Sequence, residues 1–416
     1  MASEKALNEV NPELPSGTRD YLPAEYLPKQ KMLDTIRATF ELFGFSPIET
    51  SSLQNEDVLT GGDENSKKQI FNVINKDSDS SGSALRFDLT VPLARLVASS
   101  GDQIERPFKR YEIGKVWRGE KAQAGRYREF LQCDADIVGS NSPLADAEII
   151  SLIYETLKAL GFENFQIKIN SRESLSLLDP EQIRTLDKLD KIGEEKVRKD
   201  LENLGLATDV IENIFNNSYI NEVKEIDEVI SFAKNLGVAD KFLKKDPTLA
   251  RGLDYYTGIV YEAVLTDMPE VGTVFGGGRY DGLVERFGGP KTPAVGASIG
   301  IDRLFAALEK KDLIKGEDKL AKVLVLNFDE SCTTECLKIV SDLRREKIGA
   351  EIYLGKEETL KGQLAFAVKN EYEFVVIVGQ QEKEKGVAQI KNMIARTQEE
   401  VKFENISGVI KNNSKF

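Results

Sequence analysis

Histidine is entirely missing from this chain of 416 residues, whereas ordinary usage of about two per cent would give roughly nine. Without an imidazole side chain the protein has no Ser-His-Asp triad, no zinc site with histidine ligands, and no histidine that acts as a general base or as a pH switch. Any catalysis must therefore use Arg, Asp, Glu, Tyr and Lys.

Cysteine is scarce as well. Three cysteines are too few, and too odd in number, for a disulfide framework, which fits a reducing compartment. Cys332 and Cys336 lie four residues apart on a predicted helix, but two thiols without a third or fourth ligand make a poor metal site. We expect structural roles for both and predict no metal site.

Long apolar runs are missing too. No segment offers the roughly 18 uninterrupted apolar residues that a membrane span needs. Residues 1–5 lead into polar and acidic sequence without an apolar signal core. The expectation is therefore a cytoplasmic protein with no membrane partner.

The charge of the chain is acidic and unevenly distributed. A net charge of −13 argues against indiscriminate binding to nucleic acid, because counterion release needs clustered Lys and Arg. From about residue 319 onward the two signs roughly balance. The C-terminal portion is therefore the place where RNA is repelled least.

The pattern of apolar residues predicts more than one domain, as the length does. Two alternating runs, 110–117 and 130–138, predict a long antiparallel hairpin. Residues 171–246 are charged and helical in character, with few strand signals, and predict a helical insertion. Beyond the charged segment 310–322, strand and helix signals alternate, which predicts a compact α/β unit.

Two glycine-rich segments carry the most specific chemistry. Residues 251–258 (RGLDYYTG) place a cation, a carboxylate and two phenols beside two glycines, which is typical of a pocket and not of a core. Together with residues 272–283 (GTVFGGGRYDGL) this segment closely resembles the two histidine-specific signatures of histidyl-tRNA synthetases.

Other segments agree with that resemblance. Residues 118–120 (RGE) and 126–130 (RYREF) resemble the second motif of class II aminoacyl-tRNA synthetases, and residues 299–304 (IGIDRL) resemble the third. Any one of these short motifs alone would be read as a solvated charge cluster. Residues 17–23 and 360–379 are also similar to the family, the latter to its anticodon-binding domain.

The resemblance implies an α+β fold: a class II antiparallel-sheet catalytic domain over residues 1–320, with the helical insertion at about 171–246, and an α/β anticodon-binding domain over 321–416. It implies ATP-dependent ligation of L-histidine to tRNA(His) through a histidyl-adenylate, by a homodimer. ATP is the expected co-substrate, with Mg²⁺, although no metal cage can be read from the residues.

The resemblance also assigns roles to individual residues. The catalytic pair is Arg118 and Arg251, which face each other across the α-phosphate. The ATP-binding set is Arg118, Glu120, Arg126, Phe130 and Arg303. The histidine-binding set is Asp88, Thr90, Gln132, Asp136, Tyr255 and Tyr256. Tyr280 is a further candidate for the pocket wall, with core packing an equally good interpretation.

The chemistry of these residues suits the reaction. A ring with one N–H donor and one nitrogen acceptor is well read by a carboxylate and a phenol, which Asp136 and Tyr256 supply. The attacking carboxylate of the amino acid has a free pKa of about 3.5 and needs no base. Two arginines can stabilise the negative charge that develops in the transition state.

Two departures from the family pattern are visible. Asp302 precedes the arginine of the third motif, where Glu is common, and residues 50–53 (TSSL) lack the proline that usually follows the threonine at the dimer interface. The alternative function is that of the regulatory subunit of ATP phosphoribosyltransferase, a non-catalytic paralogue. That paralogue is expected to lack both the C-terminal domain and the catalytic arginines, which this chain keeps.

Overall fold

A computed structural model describes residues 11–61, 67, 69–74, 82–119, 127–216, 218, 223–250, 255–314 and 319–413, apart from the side chains of residues 190 and 191. Contacts between Cα atoms divide the chain into two compact units. The first comprises Lys29–Lys315 and the residues up to Tyr21, and the second comprises Gly316–Phe416 and Leu22–Pro28.

The first unit is built on an eight-stranded sheet in the order β1-β5-β6-β11-β10-β9-β7-β8, beside a small sheet in the order β2-β4-β3. The inner strand pairs of the large sheet, from β5 to β7 in that order, are antiparallel. The strands are β1 Ser46–Pro47, β2 Leu53–Asn55, β3 Phe71–Val73, β4 Ser83–Leu85, β5 Phe108–Trp117, β6 Glu129–Val138, β7 Phe165–Ser171, β8 Leu243–Lys245, β9 Ile259–Leu265, β10 Thr273–Arg279 and β11 Ala294–Gly300.

The hairpin predicted at the centre of the chain is confirmed. β5 and β6 pair antiparallel along their full length, from Phe108 opposite Val138 to Trp117 opposite Glu129. Because side chains alternate between the two faces of a strand, one set of residues enters the core and the other set forms a polar face. Tyr111, Cys133 and Ile299 are among the residues of the buried apolar set.

Helices cover the apolar face of this sheet. Apolar residues of α1, α4, α9 and α10 join those of the strands in one large buried cluster. The helices of the first unit are α1 Pro23–Leu42, which begins in the second unit, α2 Glu56–Thr60, α3 Thr90–Ser100, α4 Pro143–Ala159, α5 Pro180–Leu186, α6 Leu189–Ile192, α7 Glu194–Asn203, α8 Thr208–Phe215, α9 Lys224–Asn235 and α10 Ile301–Lys310.

The segment expected to be a helical insertion contains α5 to α9. α5 begins with a capping box, in which the Asp179 side chain accepts from the Glu181 and Gln182 N–H groups and Gln182 bonds back to the Asp179 N–H. A separate small core, which includes Leu186, Val197 and Leu201, lies within this segment.

The second unit is an α/β domain around a five-stranded sheet in the order β13-β12-β14-β15-β16. β12 is parallel to β13 and β14, whereas the antiparallel strands β15 and β16 were not predicted from the sequence. The elements are β12 Val323–Val325, α11 Thr333–Arg345, β13 Ala350–Ile352, α12 Leu360–Lys369, β14 Phe374–Ile377, α13 Gln380–Lys385, β15 Val387–Asn392, β16 Thr397–Lys402 and α14 Ile406–Asn413.

The two cysteines of the second unit are part of its core. Cys332 and Cys336 are free, buried, and packed with apolar residues of β12, α11 and α14. The Cys336 thiol donates to the Leu326 carbonyl at 3.3 Å. Both therefore have the structural role that was expected.

Candidate active site

The polar face of the large sheet carries charged side chains in adjacent rows. Arg110 on β5 lies opposite Asp136 on β6, which lies opposite Gly296 on β11. In the next row, Asp134 stands between Glu112 and Ser298. These charged groups are almost completely buried.

Glycines of β10 and β11 make room on this face. A Cβ atom at Gly296 would lie 1.9 Å from Asp136 Oδ1, and one at Gly278 would lie 2.9 Å from the Tyr256 ring. Both distances are too short for non-bonded atoms. Gly296 and Gly278 therefore leave space that Asp136 and Tyr256 occupy.

A cavity of about 90 Å³ lies over this glycine and acid surface. Seven of the residues predicted from the sequence line it: Asp88, Thr90, Arg118, Gln132, Asp136, Tyr255 and Tyr256. Tyr280, the further candidate from the sequence, lines it too, and the structure adds Asp134 and Ser298 to its walls.

Asp136 is held from two sides within the cavity. The Tyr280 hydroxyl donates to Asp136 Oδ1, and Arg110 Nη2 lies 2.7 Å from Asp136 Oδ2. Arg110 itself is fully buried and also donates to the Leu89 carbonyl at 3.3 Å. Burial raises the pKa of Asp136, and the charge of Arg110 opposes that shift.

Asp88 and Thr90 reach the cavity from the start of α3. The Val91 backbone N–H donates to Asp88 Oδ1 at 3.2 Å, which orients the carboxylate. Burial raises the pKa of Asp88 to about 6, against the lowering effects of that hydrogen bond and of Arg118. Thr90 and Tyr255 line the cavity together, and the Tyr255 ring packs beside Tyr256 and Tyr280.

Gln132, Ser298 and Asp134 form a closed polar group on neighbouring strands. Gln132 Nε2 donates to Ser298 Oγ at 2.6 Å and to Asp134 Oδ2 at 3.3 Å, and Ser298 lies opposite Asp134 on the neighbouring strand. Burial and the nearby charge of Asp136 raise the pKa of Asp134. The Gln132 amide is thereby fixed with its oxygen pointing away from the carboxylate.

A second buried network supports this floor from the side of β5. Arg86 Nη1 lies 2.6 Å from Glu112 Oε1 and donates to the Thr50 carbonyl at 2.8 Å. The Thr50 backbone N–H and hydroxyl both donate to Glu112. Gly114 permits this, because a Cβ there would lie 2.2 Å from Arg86 Nη2.

Arg118 and Phe130 lie at the end of the β5–β6 hairpin where the chain passes from one strand to the other. Arg118 Nε donates to the Phe87 carbonyl at 3.2 Å, and its guanidinium carbon is 5.1 Å from the centre of the Phe130 ring. A cation over an aromatic face is an attractive contact. Arg118 therefore joins the acid-lined cavity to the aromatic ring predicted to bind adenine.

The third motif is placed next to β10. Arg303, in the first turn of α10, is exposed and donates to the Thr273 carbonyl at 3.3 Å. The preceding Asp302 accepts from Lys29 at 2.6 Å and from the Tyr21 hydroxyl at 2.9 Å. Asp302, which replaces the glutamate common in the family, therefore holds Tyr21 of the segment 17–23 in place.

Three predicted residues, Arg251, Glu120 and Arg126, lie outside the described residues. Phe130 and Arg303 are described but are not among the residues that line the cavity. Within the described part of the chain, no group of three or more Cys, Asp or Glu side chains is arranged to hold a metal ion. Within the same residues, no helix is long and apolar enough to cross a membrane.

Comparison with known proteins agrees with the motifs. Residues 17–304 match the family model described as histidyl-tRNA synthetase, and residues 322–413 match the anticodon binding domain. The chain belongs to the histidyl-tRNA synthetase family. The predicted class II catalytic fold with a separate C-terminal α/β domain is thereby confirmed.

Individual relatives cover nearly the entire chain. A "Histidine--tRNA ligase" of Clostridium tetani (strain Massachusetts / E88) is 39% identical over 97% of this chain and 99% of its own length. One from Rhodopirellula baltica is 37% identical over 95% of this chain and 96% of its own. The crystal structure of histidyl-tRNA synthetase from Nostoc sp. PCC 7120 is 32% identical, covers 98% of this chain and 100% of its own, and superimposes with a TM-score of 0.83.

Histidyl-tRNA synthetases use ATP as a substrate, and the two domains matched here imply binding of ATP, histidine and tRNA. Several residues at the site were not predicted from the sequence: Asp134 and Ser298 line the cavity, and Arg110 lies behind Asp136 as its ion-pair partner. Strand alternation carried the signal for Asp134, because it lies two residues from both Gln132 and Asp136 and must share their face. Tyr280 lines the cavity and donates to Asp136, and it also packs in a buried apolar cluster with residues such as Leu283, so both interpretations describe its position.

Proposed function

We propose that this protein ligates L-histidine to tRNA(His) with ATP, through a histidyl-adenylate and with release of pyrophosphate and AMP. The observation that supports this most is the cavity of about 90 Å³, where carboxylates, an amide and phenols converge beside Arg118. A small cationic amino acid with a polar ring fits that set of acceptors and donors.

Histidine would bind along β6 with its two ends read separately. Asp88 and Gln132 accept from the α-ammonium, with Thr90 beside it, while Asp136 and Tyr256 contact the imidazole and Tyr255 packs beside Tyr256. Tyr280 and Arg110 hold the Asp136 carboxylate in one orientation. A fixed acceptor discriminates well, because a ligand without the matching N–H group leaves it unpaired.

Adenylation then needs only alignment and charge stabilisation. The histidine carboxylate attacks the α-phosphorus of ATP, the new C–O–P bond forms, and the bond to the β-phosphate oxygen breaks to release pyrophosphate. Arg118 and Arg251 stabilise the negative charge that develops on the α-phosphate. No residue has to remove a proton in this step, because the attacking carboxylate is already ionised near neutral pH.

ATP would be held at the turn end of the β5–β6 hairpin. Phe130 stacks on adenine, Glu120 orients the nucleotide, and Arg126 and Arg303 contact the phosphates or the adenine face. Arg303 extends from the first turn of α10, where its exposed guanidinium is accessible to a ligand. Mg²⁺ would arrive with ATP and be bound chiefly by phosphate oxygens and water.

A ribose hydroxyl of the tRNA end next attacks the carbonyl carbon of the adenylate, and AMP leaves. Residues 1–320, with the insertion at about 171–246, form the catalytic domain in this proposal, and residues 321–416 form the anticodon-binding domain. We further propose a homodimer that acts in the cytoplasm.

ATP–pyrophosphate exchange with each of the twenty amino acids tests adenylation separately from tRNA. Exchange with histidine alone is the expected result. Exchange with another amino acid, or none from folded protein, would contradict the proposal, and the latter would favour the regulatory paralogue. Charging of tRNA(His) transcript with labelled histidine then tests the second step.

A further inference from the structure

Four oxygen atoms at the cavity are buried without a hydrogen-bond partner among the described residues, and one of them, Asp136 Oδ2, is ion-paired with Arg110 at 2.7 Å. The other three are Asp88 Oδ2, Gln132 Oε1 and Asp134 Oδ1. The residues that carry them are 3%, 6% and 1% exposed, respectively. Buried acceptors are normally satisfied, and leaving one unpaired costs free energy. All three residues line the same cavity.

The remaining atoms of these groups are already engaged. Asp88 Oδ1 accepts from the Val91 N–H, and Asp134 Oδ2 accepts from Gln132 Nε2. The Gln132 amide has its nitrogen toward Ser298 and Asp134, and an ionised carboxylate can only accept. The orientation of the amide is therefore set, and its oxygen is available to a ligand.

The chemistry of these three oxygens indicates which ligand group can donate hydrogen bonds to them. A primary ammonium has three N–H donors and one positive charge, whereas a neutral imidazole has one donor. One oxygen from each of two carboxylates and one amide oxygen match the three N–H donors in number, and the carboxylates attract the positive charge. Asp136 differs, because Tyr280 donates to its Oδ1 and its Oδ2, although not hydrogen-bonded, is ion-paired with Arg110 at 2.7 Å.

We propose that Asp134 is the third acceptor for the α-ammonium of the amino acid, together with Asp88 and Gln132. This assignment rests on the proposed function for the identity of the ligand. It makes Asp134 a specificity residue that selects for a free amino group. Ser298 is a positioning residue, since its hydroxyl accepts from Gln132, which also donates to Asp134, and Ser298 lies opposite Asp134 on the neighbouring strand.

Calorimetry with three ligands tests the assignment: L-histidine, L-histidinol, which keeps the ammonium but lacks the carboxylate, and imidazole-4-propionate, which lacks the ammonium. In Asp134→Asn we expect histidine and histidinol to bind about 10–100-fold more weakly, as for loss of one charge-assisted hydrogen bond. Imidazole-4-propionate should change by less than about twofold, because the group that Asp134 contacts is absent from it.

Ser298→Ala is the matched variant, because it keeps the Asp134 carboxylate but removes the hydroxyl that accepts from Gln132 beside it. It should show the same ligand pattern with a smaller loss. Equal weakening of all three ligands in Asp134→Asn would reveal a merely structural role and overturn the assignment, as would unchanged binding of histidine. Thermal unfolding of each variant checks that it is folded.

The experiments distinguish a failure of the role proposed for Asp134 from a failure of the proposed reaction. Ammonium-selective weakening without any pyrophosphate exchange would leave Asp134 as an ammonium acceptor and contradict the proposed reaction. Exchange specific for histidine, with no ammonium-selective effect of Asp134→Asn, would retain the reaction and remove Asp134 from its role.

Discussion

The two faces of the large sheet are made by alternate residues of the same strands, yet they differ in almost every physical property. On β6, Cys133, Ala135 and Ile137 enter the apolar core, whereas Gln132, Asp134 and Asp136 form the floor of the cavity. On β11, Ile299 packs in the core while its neighbour Ser298 bonds to Gln132.

This contrast separates the sources of stability and of function. Full burial of an apolar side chain contributes about 1.5–3 kcal/mol, so the core face stabilises the free protein. The polar face buries carboxylates whose pKa values are raised by loss of solvent, with Asp88 and Asp134 as examples. Buried carboxylates of this kind destabilise the ligand-free protein, and a bound ligand of opposite charge offsets that cost.

Loss of an arginine from the polar face should have the largest effect on catalysis. We expect Arg118→Ala to lower the rate of pyrophosphate exchange by roughly 10²–10³, or about 3–4 kcal/mol, because one charge-stabilising donor is lost. Arg251→Ala should do the same. Arg198→Ala, which removes surface ion pairs to Glu194 and Glu212, is the control and should exchange normally; equal rates in all three variants would remove the arginines from the mechanism.

Removal of a buried acid should stabilise the free protein. The pKa of Asp88 is about 6 when folded, against an ordinary 3.8, so the folded state holds a proton that the unfolded state releases. The free energy of unfolding of the wild type therefore falls as pH rises from about 4 to 6, and stays low above that. Asp88→Asn should not show this fall in the free energy of unfolding, because its side chain does not titrate.

Denaturant unfolding between pH 4 and pH 8 measures the difference. Relative to the wild type, Asp88→Asn should gain up to about 3 kcal/mol across this window, which is the difference between the two pKa values expressed as free energy. Asp267→Asn is the control: its pKa is lowered by Lys311 at the surface, so any change should be small and opposite in sign. A variant less stable than the wild type at pH 7 would contradict this interpretation of the polar face.

Filling the space left by a glycine should disturb the polar face without touching the core. The added methyl group in Gly296→Ala would overlap Asp136 Oδ1, and overpacking of about 1–3 kcal/mol corresponds to a rise of roughly 10–100-fold in the KM for histidine. Gly282→Ala is the matched control, because the nearest neighbour of its added methyl group, Glu285 Oε2, would be 4.0 Å away. Similar KM values for both variants would show that Gly296 does not shape the pocket.

Removal of one methyl group from the core face should have the smallest effect, and it should change only the free energy of unfolding. Ile299→Val should reduce the free energy of unfolding by about 0.5–1.5 kcal/mol and leave the KM for histidine unchanged. Ser298→Ala, one residue earlier on the opposite face, should raise the KM for histidine and leave the free energy of unfolding nearly unchanged. Thermal unfolding and exchange kinetics on both variants measure this; a raised KM in Ile299→Val would mean that the two faces are not independent.

Alternation and motif spacing made much of this arrangement predictable. The hairpin of β5 and β6 followed from period-two apolar residues, and the resemblance identified seven residues that now line one cavity. Asp134 and Ser298 were missed because their roles depend on cross-strand neighbours that lie far apart in the chain. The strands β15 and β16 were missed because β16 is mostly polar and exposed, so it lacks an alternating apolar signal.

Thermal unfolding of the wild type and of Asp134→Asn at pH 8, each with and without L-histidine at about 100 times the wild-type Kd, tests the central claim most directly. Free Asp134→Asn should unfold at a higher temperature than the free wild type, because a buried charge is gone. Histidine should stabilise the wild type by about 2.7 kcal/mol and the variant by only about 0.4–1.4 kcal/mol. A free variant that is less stable than the wild type, yet gains as much from histidine, would contradict the claim that substrate completes the polar face.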